Sequence, residues 1–101
     1  MRAVELRHRL PSGDVETLAR IYVIEPGGPA RIEPTAAANL PMIEDILARG
    51  GVVDRLGRPL RPADGAAYVR ALPQSFRGSR LWAEEVEFDE PDRDLAPDQL
   101  V

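Results

Sequence analysis

The chain has 101 residues, 44% of them hydrophobic and 30% charged, with a net charge of −4 and no cysteine. That length suits a single domain, and the missing thiols exclude disulfides, cysteine nucleophiles, iron–sulfur clusters and thiolate zinc sites. No apolar run approaches the ~20 residues of a membrane span, and Met1-Arg2-Ala3-Val4-Glu5 turns charged where a signal peptide turns apolar, so a cytoplasmic protein with no membrane partner is expected.

Residues 2–10 alternate, with Val4, Leu6, His8 and Leu10 on one side and Glu5, Arg7 and Arg9 on the other, the period of a strand with one wet face. Pro11-Ser12-Gly13-Asp14 is turn chemistry. Residues 16–25 then hold Thr17, Ile21, Tyr22, Val23 and Ile24, which predicts a second strand closing a hairpin. Leu18, Ile21 and Tyr22 also fall at helix spacing, but the run of four β-branched or aromatic residues favours the strand. Pro26-Gly27-Gly28-Pro29 breaks the chain, and Arg31-Ile32-Glu33 has the form of a short edge strand ending at Pro34, a point the sequence leaves open.

The clearest helix follows. Leu40, Ile43 and Leu47, with Ile46 beside them, make an apolar stripe; Glu44 and Asp45 lie near its positive end, Arg49 near its negative end, and Gly50-Gly51 terminates it. Pro41 belongs in the first turn, which makes Asn39 the expected cap. Val52-Val53-Asp54 and Arg58-Pro59-Leu60 predict a small hairpin, Gly57 supplying the positive φ of its turn. Pro62 suits the first position of a second helix, with Tyr68, Val69 and Leu72 as its buried stripe and Pro73 as its stop. Gly65 lies on the same face, where a missing side chain lets backbone come close. Arg80 to Phe88 alternates again, with Trp82, Val86 and Phe88 on the expected core side, Glu85 and Glu87 opposite, and Glu84 interrupting the apolar face.

The expected fold is α+β: a small, mostly antiparallel sheet built in the order hairpin, helix, hairpin, short helix, strand, the order of a β-grasp-like fold among others. Residues 1–88 are expected to form the domain, and residues 89–101, rich in acids and prolines, a flexible tail. Charge divides along the same line. Up to Ala83 there are twelve arginines against nine acids, and from Glu84 onward eight acids against one arginine.

His8 is the only histidine, on the apolar side of the first strand, so any imidazole mechanism must use it. The plainer reading is a satisfied histidine at the sheet margin. Glu84, Glu85 and Glu87 do not form a catalytic pair on this pattern, because strand neighbours face opposite sides and Glu85 with Glu87 makes a solvated face. Asp89, Glu90, Asp92 and Asp94 lack the glycine hinge and terminal glutamate of a calcium loop. Neither glycine pair fits a phosphate loop, and the chain has no lysine for a Walker motif or a Schiff base. No metal or cofactor is expected, and no catalytic residues.

All thirteen basic residues are arginine, and alanine, proline and glycine are abundant, a composition that resembles the coding bias of a GC-rich bacterial genome. Seven of those arginines lie between Arg49 and Arg80, against only Asp54 and Asp64. Arg55, Arg58 and Arg61 surround the small hairpin, while Arg77 and Arg80 flank the loop that holds Phe76; together they form the candidate interaction surface. The expected function is a non-enzymatic interaction domain that meets another protein, or a second copy of itself, through a sheet edge or this arginine-rich face. The alternative is a nucleic-acid-associated regulator, with Phe76 and Trp82 as stacking surfaces and the acidic tail as a shield. A small enzyme centred on His8 is the third reading.

Overall fold

The computed structural model describes residues 2–87, so Phe88 and the expected tail at 89–101 lie outside the described residues. Alternation in the first segment produces β1 (Arg2–Arg9), whose Val4 and Leu6 are almost wholly buried. The Pro11–Asp14 turn, closed by a 2.8 Å bond from the Leu10 N–H to the Asp14 carbonyl, returns the chain as β2 (Val15–Val23). After the glycine-rich break comes β3 (Ala30–Pro34), so the short edge strand that the sequence left open does form. The last strand, β4 (Leu81–Glu87), pairs with β1, giving the order β3-β2-β1-β4 with every pairing antiparallel. Likeness to a β-grasp stops at element order, because that fold joins its first and last strands in parallel.

The β1–β2 ladder contains a bulge. Leu6 faces Ala19 and Arg7 faces Thr17, so Leu18 is an extra residue on β2. Leu18 and Ala19 are both buried with the core. This places Leu18 and Ile21 on one face of a strand, at the three-residue spacing that otherwise belongs to a helix.

Between β3 and β4 the chain builds a layer on one face of the sheet. A 3-10 turn at Ala37–Asn39 leads into α1 (Leu40–Arg49), which buries Ile43 and Leu47 and ends at Gly50-Gly51. Asn39 is not a side-chain cap as expected: it lies in helical conformation and makes no such bond, because the 3-10 turn already carries the chain into the helix. The small hairpin forms around Gly57 (φ +81°), with the Leu60 N–H on the Val52 carbonyl at 2.9 Å. Pro62 opens a second 3-10 turn, Pro62–Asp64, and α2 (Ala66–Ser75) starts only after Gly65. Gly65 has φ +61°, and an added Cβ would meet the Gly28 carbonyl oxygen at 2.2 Å, so two backbone segments touch where only glycine fits.

Pro73 does not stop α2. It lies near the end, where its missing N–H forfeits one bond to Val69, and the Phe76 N–H still closes the last turn on the Leu72 carbonyl at 2.9 Å. The core lies between the sheet and this layer, with Val4, Leu6, Ile21, Ile43 and Leu72 fully enclosed and Tyr68 and Phe76 beside them. Burying each such side chain favours folding by about 1.5–3 kcal/mol. On β4 the faces are reversed from expectation. Ala83, paired with Leu6, is the buried residue, while Trp82 and Val86 share the opposite face with Arg7 and Ala3.

Candidate interaction surface

The sheet face away from the helices carries charge arranged by strand register. Glu5 on β1 lies opposite Arg20 on β2 and Glu84 on β4, and Arg7 lies opposite Trp82. Glu5 accepts hydrogen bonds from Arg7 Nε and Arg20 Nη2, each at 3.1 Å, and the two guanidinium groups leave its side chain only 11% exposed. Burial alone pushes the Glu5 carboxyl up, but the hydrogen bonds from Arg7 and Arg20 outweigh it and hold the group below its ordinary value. Arg7 reaches onward to Glu84 at 3.0 Å, and its bond to Glu5 holds the guanidinium in its charged form. On β2 and β3, the Tyr22 hydroxyl donates to Glu33 at 3.2 Å.

At the β4 start this face becomes basic and aromatic. The Arg9 N–H bonds the Arg80 carbonyl at 2.8 Å, which holds the Arg80 backbone against the end of β1, next to Trp82. On the other side of Trp82, Arg77 forms a β-bridge with it. Trp82 is thus paired with Arg7 on one side and Arg77 on the other, with Arg9 over its ring and Arg80 two residues before it. The Arg9 guanidinium carbon is 5.5 Å from the ring centroid, a cation–π contact, and the indole N–H donates to Glu84 at 3.2 Å. Arg7 is neutralised by Glu5 and Glu84. The exposed side chains of Arg77 and Arg80 make no ion pair or hydrogen bond among the described residues.

The six candidate residues separate in space and in role. Arg77 and Arg80 belong to the Trp82 cluster, whereas Arg55, Arg58 and Arg61 belong to the hairpin and the turn after it. Arg58 is bound to Asp54 at 2.8 Å, and that carboxylate also accepts the backbone N–H groups of Arg58 and Leu56. The bond from the Arg58 N–H is the main reason that Asp54 ionises below its ordinary value. Phe76 is 7% exposed and packs against Gly50, so it serves the core and offers no stacking surface. Arg7 and Arg9 are members of the cluster that sequence reasoning missed. Their only signal was the parity they share with Glu5, because the Arg9–Arg80 contact spans most of the chain.

His8 lies at the sheet margin with Nε2 2.7 Å from Glu16 Oε1, its side chain 31% exposed. Both sheet edges are blunted. Along β3 the groups pointing away from β2 include Pro34, which has no N–H to offer. Along β4 the Ala83 N–H is taken by the Phe76 carbonyl at 2.9 Å, and the outward positions that follow are Glu85 and Glu87. Among the described residues, no group of three histidine or acidic side chains is placed to hold a metal ion, and no helix is long and apolar enough to cross a membrane. Comparison with family models, with curated proteins and with solved structures gave no match.

Proposed function

We propose that this chain is a non-enzymatic interaction domain that docks an acidic segment of another protein on the Trp82 end of its sheet face. The observation that carries the reading is a pair of exposed arginines, Arg77 and Arg80, that have no counter-ion among the described residues and lie beside an aromatic ring already stacked by Arg9. Guanidinium groups pair with carboxylates in planar, two-pronged geometry, and an indole face next to them adds apolar contact area. The blunted edges favour the face over strand addition, and they favour a foreign partner over a second copy.

A nucleic-acid partner is favoured less. Residues 2–87 hold twelve arginines and twelve acids, and Arg7 and Arg20 are already bound to Glu5, so no continuous basic stripe remains for a phosphate backbone. The observation in its favour is the Trp82 ring, which is suited to stacking a base.

An NMR titration of the full chain with a synthetic oligoglutamate peptide, set against a single-stranded oligothymidine, tests the choice. The peptide is expected to shift the Trp82 indole N–H and the amides of residues 7–9 and 77–82 at low salt, with the shifts fading at high salt. Arg77→Gln with Arg80→Gln in one chain is expected to weaken this binding at least tenfold. If the oligothymidine binds these residues more tightly than the peptide, the nucleic-acid reading replaces this one. No shift with either ligand at low salt removes both.

A further inference from the structure

On the helix side, away from the Trp82 face, a cavity of about 390 Å³ lies between the end of α1, the small hairpin and β3. Ile32, Leu47, Val52 and Leu60 wall it with apolar surface. Its size falls within the ~300–1,000 Å³ of small-molecule sites, which are mostly apolar with a few converging polar groups. Three such groups are present: Tyr68, Glu44 and Arg61 all line the cavity.

Tyr68 is the least ordinary of them. Only 2% of its surface is exposed, its hydroxyl makes no hydrogen bond to any described residue, and burial pushes its ionisation up. That hydroxyl is not sealed from solvent, so water can satisfy it, and a ligand atom that displaces the water can take over the bond. At the mouth, Glu44 and Arg61 are both exposed and carry opposite charges, but neither forms an ion pair with the other or with any described residue. One cavity thus presents an apolar body, a cation site, an anion site and an unused hydroxyl.

The geometry points to a binding site for a free α-amino acid with a large side chain that bears one polar atom, of the tryptophan or tyrosine type. In this arrangement the ligand carboxylate meets Arg61 and its ammonium meets Glu44. The ring fills the space between Leu47, Val52 and Leu60, and the ring N–H or O–H donates to the Tyr68 oxygen. A ligand with a single charge satisfies one of the two mouth residues and places its own charge beside a like one or beside none. A purely hydrocarbon side chain leaves the Tyr68 hydroxyl unpaired.

The test is an NMR titration of the full chain with L-tryptophan, compared with tryptamine, indole-3-propionate and L-phenylalanine. L-tryptophan is expected to shift the amides around Leu47, Val52 and Leu60 saturably while leaving those of residues 77–82 in place. It is also expected to bind more tightly than each of the three comparators. Arg61→Gln should abolish its advantage over tryptamine, and Glu44→Gln its advantage over indole-3-propionate. Tyr68→Phe, which removes a hydroxyl that bonds no described residue and so preserves the fold, should weaken L-tryptophan by roughly two- to tenfold and leave L-phenylalanine unchanged. No shift at these amides with millimolar L-tryptophan overturns the assignment. So does equal binding of all four ligands, or indifference of L-tryptophan to all three substitutions.

Discussion

Glu5→Gln removes one charge from the centre of the outer sheet face and keeps the shape of the side chain. Breaking a fully buried ion pair costs about 3–5 kcal/mol, whereas a fully exposed pair contributes about 0–1 kcal/mol. This cluster lies between those limits: Glu5 is 11% exposed, Arg7 25% and Arg20 36%. Arg7 also retains Glu84 at 3.0 Å after the change, so the loss falls mainly on the Arg20 contact with Glu5. The expected loss is about 1.5–2.5 kcal/mol at neutral pH. In a domain of this size that lowers the melting temperature by roughly 6–15 °C. Urea unfolding followed by Trp82 fluorescence and by far-ultraviolet circular dichroism measures it, with an unchanged denaturant slope as the condition for comparison. Acid supplies a second reading of the same group. The folded chain holds Glu5 below its ordinary value of 4.5, so as pH falls the unfolded chain takes up that proton first. The stabilisation from Glu5 is therefore complete above pH 4.5 and declines as pH falls below it towards the lowered native value. The stability gap between the natural chain and Glu5→Gln should narrow in that window. A loss under about 0.5 kcal/mol at pH 7, or a gap that widens in acid, would refute the view that this bridge holds the sheet face together.

Two further substitutions test the packing. Gly50→Ala would place a methyl 2.0 Å from Phe76 Cζ at a backbone position (φ −67°) that any residue adopts, so the expected loss of about 1–3 kcal/mol is steric. Adding Phe76→Leu to that chain should recover part of the loss in a thermal melt, and an unchanged melting temperature for Gly50→Ala alone would show that the ring yields freely. Leu18→Ala should cost about 2–5 kcal/mol despite its place at a ladder irregularity, because the bulged residue is buried; a change below about 1 kcal/mol would place it outside the core.

Which parts of this architecture the sequence reveals follows from how far each signal reaches along the chain. β1, β2, α1 and the small hairpin rest on patterns and turn residues within about a dozen positions, and those elements form where the patterns place them. The competing helix at residues 15–25 had a real cause, since a bulge sets Leu18 and Ile21 on one face at helical spacing. β4 is misread for a different reason. Both of its faces carry apolar residues, and size suggests Trp82 and Val86 as the core side, but the register with β1 sets Leu81 and Ala83 on the core face, opposite His8 and Leu6. Pro73 misleads because the bond it removes lies in the last turn, where the loss is tolerated.

The candidate surface depends on long-range register, which no local pattern encodes. Arginine density between Arg49 and Arg80 is a true feature of the sequence, but density does not tell a bound cation from a free one. Asp54 neutralises Arg58, and Asp45 neutralises Arg49. What distinguishes Arg77 and Arg80 is position: one bridges to Trp82 across the start of β4, and the other lies opposite Arg9 at the end of β1. Two residues separate them in the segment before β4, yet one pairs with Trp82 and the other with Arg9. The loop containing Phe76 makes this possible, because its carbonyl caps the β4 edge at Ala83 while its ring anchors the loop in the core beside Gly50. Edge protection and the basic cluster thus have one structural cause. A change that frees Phe76 from the core should therefore open the β4 edge and scatter the arginines together, so loss of peptide binding and gain of self-association are expected to appear in the same variant.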